Sequence, residues 1–280
     1  MRLFPKSLNL SENVFLLLRD LIHERTGVNY EDSKRDILAE KLLPRVSERG
    51  LESFLDYYYL LKYDTSASEE WKHVMDAIAV PETYFWREID QIHALVNIIV
   101  PKYFKKHSEP LRIWSAACST GEEPLSIAIA LNEQNWFWKA PIEIYASDAS
   151  RSAIAKACSG LYRERSFRAL PPNIKEKYFH KENEAWRIAP EIHARIKWQT
   201  ANLLDESEVR PLAKATVIFC RNVFIYFSEK TIRKTVNLFW ECMPNPGYLF
   251  LGSSESLLKL NTEFELEEIN GSFVYVKNKR

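Results

Sequence analysis

The stretch LRIWSAACSTGEEPLSIAIAL, residues 111–131, decides the fold. It opens with the apolar run Ile113-Trp114-Ser115-Ala116-Ala117, which has the length and composition of a buried parallel strand. Small, turn-forming residues follow (Ser119-Thr120-Gly121), and then the carboxylates Glu122 and Glu123. From Pro124, which suits a first helical turn, the pattern becomes helical: Leu125, Ile129 and Leu131 recur with alanines between them. A strand that feeds a helix through small residues lets a ligand approach the backbone at the carboxyl edge of a parallel sheet. The turn is not a phosphate cradle, because it has neither a P-loop nor a GxGxxG pattern and two carboxylates stand where a pyrophosphate needs bare amides. Carboxylates at a helix start either complement the helix dipole or receive hydroxyls, amines or a cationic ligand. These residues alone leave both open.

On either side of this stretch the chain alternates strand and helix. Strands are expected at 111–116, 142–147, 195–199, 215–220, 247–252 and 272–277, with helices at 89–104 and near 124–134, 150–157, 173–180 and 228–243. Such alternation implies a mostly parallel sheet with helices on both faces. The last two strands are joined by an irregular, partly helical link, which suits an antiparallel strand at the end of the sheet. Asp148 ends the second strand, where an acidic side chain can grasp a ribose diol or cap the next helix. The apolar strand before Arg221-Asn222 brings a guanidinium to the same edge, and burying it unpaired would be costly.

Residues 11–79 carry only helical patterns. Ser11 can cap the first helix, Val14, Leu17, Leu18, Leu21 and Ile22 make its apolar face, and Gly27 stops it. A second helix starts near Ser33 and is interrupted at Pro44; others run from Leu51 to Leu61 and from Trp71 to Ala79. Lys41, Arg45 and Arg49 recur every four residues and share a face if Pro44 only kinks the helix. A basic face of this kind is either solvated or meets an acidic partner.

Composition excludes several classes. Of 280 residues, 38 are basic and 38 acidic, so no net field draws the chain to nucleic acid or membrane. Cys118, Cys158, Cys220 and Cys242 lack metal-ligand spacing, so free thiols, no metal site and a cytoplasmic location are expected. The N-terminal MRLFPKSLNL has no long apolar core and reads as no signal peptide, and no run approaches the roughly 18 apolar residues of a membrane span. A monomer is expected.

The same residues carry a family resemblance. WSAACSTGEEPLSIAIAL resembles the first motif of the CheR-type chemotaxis receptor methyltransferases, which bind S-adenosylmethionine (SAM). PETYFWRE (81–88), YASD (145–148), IFCRNVFIYF (218–227) and GYLFLGSSES (247–256) match further motifs in order, and the resemblance spans residues 11–277. It implies a class I SAM-dependent methyltransferase, Rossmann-like, with a small β insert at about 158–194, preceded by a small all-helical domain. The domains expected are residues 8–78 and 82–280. The implied reaction is esterification of glutamate side chains on chemoreceptor cytoplasmic helices, leaving S-adenosylhomocysteine. By the resemblance, Thr83, Arg87, Glu123, Asp148, Asn202, Leu203, Arg221 and Asn222 contact the cofactor, although Glu122 and Glu123 remain alternatives. Arg87 and Tyr226 orient the acceptor carboxylate, and Lys41, Arg45 and Arg49 face the acidic receptor segment.

The chain departs from the family pattern at three places. Pro81 replaces a usual asparagine, a serine of GSSES replaces the histidine of GHSES, and the turn His180–Glu184 lacks the glycine of members that dock a receptor tail. The first two departures keep an alternative open, a CheR-like module that senses SAM or a related nucleotide without transferring a methyl group.

Overall fold

A computed structural model describes residues 8–65 and 67–278; residues 1–7 of the N-terminal stretch lie outside the described residues. The chain divides into two compact units. One comprises the residues up to Val80 together with Tyr226–Thr231, and the other comprises Pro81–Ile225 and the residues from Ile232 onward.

The first unit is built on helices α1 (Glu12–Thr26), α2 (Arg35–Glu48), α3 (Phe54–Tyr63) and α4 (Ala67–Ile78). Gly27 takes a left-handed conformation (φ 78°) and returns its N–H to the His23 carbonyl, ending α1 as expected. Ser11 occupies the N-cap, but its side chain makes no capping bond; its carbonyl accepts the Phe15 N–H at 2.8 Å. Phe15, not Leu17, completes the buried face with Leu18, Leu21 and Ile22, while Leu17 is exposed. The helix α2 runs through Pro44 instead of breaking there. A proline removes one i→i−4 bond, and burial of Leu38, Leu42 and Val46 on both sides keeps the helix intact.

The three cations of the basic face all have partners within the helical unit. Lys41 Nζ donates to the carbonyls of Ile78 (3.0 Å) and Ala79 (3.1 Å), where it neutralises the C-terminus of α4. Arg45 makes a two-pronged bond to the buried Glu70 (3.0 and 2.9 Å), which also accepts from the Tyr57 hydroxyl at 2.7 Å. Arg49, the exposed member, lies 3.7 Å from the same carboxylate. Sequence spacing put the three cations on one face, but it could not show that Glu70 lies across from it. Burial pushes the Glu70 pKa up, and the bonds from Arg45 and Tyr57 outweigh it to leave the value lowered. A depressed folded-state pKa gives stability that is present above the unfolded value, near 4.3, and is lost as pH falls through the folded value. We therefore expect this unit to weaken in that acidic window. Glu70→Gln should lower unfolding free energy by about 1.5–3 kcal/mol near neutral pH and flatten the acid limb in denaturant titrations.

Among the described residues, the second unit contains ten strands: β1 (Leu111–Ala116), β2 (Ile142–Asp148), β3 (Leu161–Tyr162), β4 (Phe179–Glu182), β5 (Ala185–Ile188), β6 (Ile196–Thr200), β7 (Val217–Phe219), β8 (Gly247–Phe250), β9 (Glu265–Ile269) and β10 (Ser272–Lys277). Seven form one sheet in the order β6-β2-β1-β7-β8-β10-β9. The first five in that order are parallel, and β10 runs antiparallel to both of its neighbours. This is the class I SAM-dependent methyltransferase fold that the resemblance implies. Register pairs Ser115 with both Ala146 and Phe219, so the ends of β1, β2 and β7 share the carboxyl edge. Trp114, Ile113, Ile144, Phe219 and Phe250 form the buried centre.

The link between β8 and β10 contains β9, a strand the sequence reading left irregular. Its signal was Asn270-Gly271, both at positive φ (52° and 77°), the dipeptide of a two-residue hairpin. The glutamates of ELEEI disguised an edge strand, where charge guards against pairing with another chain. The expected helix at 89–104 is helical throughout but contains a π turn at Leu95–Ile99.

The insert is a second sheet, β3-β5-β4. Its aromatics hold the 81–88 segment: the Phe85 ring lies 4.9 Å from Tyr162 and from Phe179, and the Phe85 N–H donates to the Ser166 carbonyl at 2.9 Å. Asn183 adopts a left-handed conformation (φ 54°) in the turn that lacks glycine. Among the described residues, no helix is long and apolar enough to cross a membrane and no side-chain cluster could hold a metal ion.

Candidate functional site at the carboxyl edge

The turn after β1 is compressed, with Ala117, Ser119 and Gly121 all at positive φ. At Gly121 (φ 94°) a Cβ would stand 2.8 Å from the Trp198 ring and 2.9 Å from Ala157, so only glycine fits. Helix Glu122–Glu133 begins there, and Pro124 falls within its first turn. The turn is tied to β2 by Asp148, which accepts from the Ser119 N–H and the Ser150 N–H, each at 2.8 Å. The next helix is capped by Ser150, whose hydroxyl accepts from the Ala153 N–H. Asp148 is thus not the cap but a bracket for the turn, at the strand end where acceptor oxygens can receive a diol.

The structure separates the two glutamates. Glu122 is buried and accepts from Thr120 Oγ1 (2.6 Å) and Ser166 Oγ (2.9 Å), which joins the turn to the insert. Glu123 accepts from Ser115 Oγ at 2.6 Å and faces Arg221 Nη1 at 3.4 Å. Burial raises the Glu123 pKa, and Arg221 and the Ser115 hydroxyl offset this only in part.

Arg221, its side chain 2% exposed, organises this edge. Its Nη2 donates to the Arg87 carbonyl (2.7 Å) and to Glu88 Oε2 (3.0 Å), so it bridges Glu88 and Glu123. Burial raises the Glu88 pKa, but Arg221 and the Ser253 bonds prevail and lower it. Those bonds come from the Ser253 N–H (3.1 Å) and hydroxyl (2.9 Å) to Glu88 Oε1. Ser253, one of the two serines of GSSES that can stand for the histidine of GHSES, therefore steadies a carboxylate. The backbone here is strained: Trp86 and Glu88 both have positive φ (66° and 49°), an arrangement that bulky residues adopt only when surroundings enforce it.

The other expected residues fall as follows. Arg87 donates to the Glu82 carbonyl at 3.0 Å, and its guanidinium lies 5.6 Å from the Tyr84 ring. Thr83 is half-buried on the same segment, and Pro81 is exposed. Asn202 follows β6 and turns the chain by accepting the Leu204 N–H at 3.0 Å; Leu203 is buried. Asn222 is at positive φ (59°) just after Arg221. Tyr226 belongs to the segment grouped with the helical unit.

Glu255 was missed as an organising residue. Its carboxylate accepts from the amides of Gly252 (2.7 Å), Asn222 (2.8 Å), Val223 (2.8 Å), Phe224 (2.6 Å) and Ile225 (3.3 Å). Glu88 and Ser115 were missed as well. A signal existed for Glu88, since a buried guanidinium requires carboxylate partners and Glu88 stands in a motif already singled out.

The donor set fits a SAM molecule. Ser119 Oγ and Arg221 Nε are buried at this edge without a hydrogen-bond partner, two of the few such side-chain atoms among the described residues. Glu123, at the start of the helix after β1, and Asp148, at the end of β2, belong to the same edge.

Comparison with known proteins agrees with this geometry. The family description "CheR methyltransferase, SAM binding domain" matches residues 81–273, and "CheR methyltransferase, all-alpha domain" matches residues 13–79. The chain is 35% identical to Chemotaxis protein methyltransferase 2 of Vibrio cholerae, over 96% of this chain and 94% of that protein. It is 33% identical to the Chemotaxis protein methyltransferase of Salmonella typhimurium (97% and 92% covered) and 32% identical to that of Escherichia coli (97% and 93%). On the combined evidence of motifs, fold and relatives, the chain belongs to the CheR methyltransferase family.

Proposed function

We propose that this protein transfers a methyl group from SAM to glutamate side chains in the cytoplasmic segment of a chemoreceptor. The observation that carries the reading is the cluster of Glu123, Arg221 and Asp148 at the carboxyl edge, with Ser119 Oγ and Arg221 Nε still lacking partners. Glu123 takes the amino group of the methionine moiety, and the Arg221 Nε–H takes its carboxylate. Asp148 takes the ribose hydroxyls, Asn202 and Leu203 flank the adenine, and Thr83 and Asn222 complete the contacts. When bound, SAM supplies a methyl group made electrophilic by the sulfonium.

The chain's own residues then need only orient an acceptor. A glutamate carboxylate is already ionised at neutral pH, so no general base is required. Arg87 anchors that carboxylate by charge, and Tyr226 sets its angle with its hydroxyl or ring. Holding the reacting groups in line is worth several kcal/mol, up to roughly 7–11 in the best cases. Lys41, Arg45 and Arg49 steer the acidic receptor segment, with Arg49 the exposed member of the three.

Asp148→Ala should weaken SAM binding by about 1–3 kcal/mol, the range for a lost charge-assisted hydrogen bond. Calorimetry with an unchanged Kd would remove Asp148 from the cofactor site.

A further inference from the structure

The segment Tyr226–Thr231 is far in sequence from the helices it joins. The C-terminal turn of α1 reaches it in three ways. The Asn29 N–H donates to the Tyr226 carbonyl at 2.7 Å, and Val28 forms an isolated antiparallel bridge with Phe227. His23 Nε2 lies 2.9 Å from Ser228 Oγ and 3.3 Å from Thr231 Oγ1. The two hydroxyls are also 3.0 Å from each other. The turn itself is well determined: Gly27 closes α1, and Thr26 Oγ1 donates to the Ile22 carbonyl (2.8 Å) while accepting the Val28 N–H (3.2 Å). Next to it, burial and the neighbouring Tyr226 phenol push the Tyr30 hydroxyl pKa up to about 12.

These contacts hold the backbone of Tyr226 and Phe227 and the side chain of Ser228. A phenol can aim at an acceptor only as well as its own main chain is held, and a misplacement of about 1 Å can cost on the order of 100-fold in rate. We infer that the C-terminal turn of α1 is a positioning element for Tyr226, with His23 and the Val28–Asn29 pairing as the residues that carry it. This inference rests on the reading that Tyr226 orients the acceptor.

The test is a double-mutant cycle in the full-length protein, assayed with radiolabelled SAM on a chemoreceptor cytoplasmic fragment that wild type methylates. His23→Ala should lower kcat about 10-fold and leave the Kd for SAM unchanged. His23→Gln, whose amide can still meet Ser228, should restore most of the rate. In a Tyr226→Phe background, His23→Ala should cost less than about twofold, because the group it positions is already gone. Ser228→Ala removes the same bond from the other side and should reproduce the pattern, so a poorly folded His23→Ala does not decide the matter. Wild-type kcat in both His23→Ala and Ser228→Ala, or equal losses in both backgrounds, would overturn the inference while leaving the role of Tyr226 intact. A Tyr226→Phe enzyme with full kcat would instead overturn the role of the Tyr226 hydroxyl, and with it the inference, which concerns the aim of that hydroxyl.

Discussion

Arg87→Ala is expected to lower kcat about 100-fold while weakening SAM binding less than about tenfold, close to 2.7 against less than 1.4 kcal/mol. The imbalance follows from what the guanidinium does. It acts on an acceptor carboxylate whose interaction with it matures in the transition state, so its loss is felt mainly in the chemical step. In the structure its guanidinium donates to the Glu82 carbonyl and lies 5.6 Å from the Tyr84 ring, whereas Glu88 and Glu123 pair directly with Arg221. Single-turnover rates alongside calorimetry separate the two quantities. Equal losses in both would make Arg87 a cofactor ligand only.

Glu255→Ala is expected to be the most destabilising single change, by about 3–5 kcal/mol in denaturant unfolding. Five backbone amides converge on that carboxylate, four of them from Asn222–Ile225, directly after Arg221. Removing it leaves those donors unpaired and releases the turn that leads from β7. Glu255→Gln keeps one acceptor oxygen and should recover part of the loss. An alanine variant as stable as wild type would show that the turn holds without its clamp.

The sheet was legible because its strands are short apolar runs between helical patterns, and the parallel order follows from that alternation. The strand β9 was not, because an edge strand needs no apolar run and ELEEI reads as a charged loop; only Asn270-Gly271 announced it. The site was legible as a set of motifs at strand ends, which put Glu123, Asp148 and Arg221 on one edge. Their pairing was not, since it depends on which side chains meet across the fold. Nothing local distinguishes Glu122 from Glu123: Ser166, 44 residues on, claims the first, and Arg221 lies opposite the second. The basic residues of α2 show the same limit, because their spacing was read correctly and their partner, Glu70, lies 25 residues beyond Arg45. Periodicity identifies a face, whereas tertiary packing decides what it meets.

The central claim is that this chain makes a methyl ester on a receptor glutamate. The most direct measurement incubates wild-type protein and methyl-labelled SAM with chemoreceptor cytoplasmic fragments, then treats the washed product with base. Label should appear on the fragment and be released by base as methanol, as an ester requires. Tight SAM binding with no label on any fragment, or label that survives base, would contradict it.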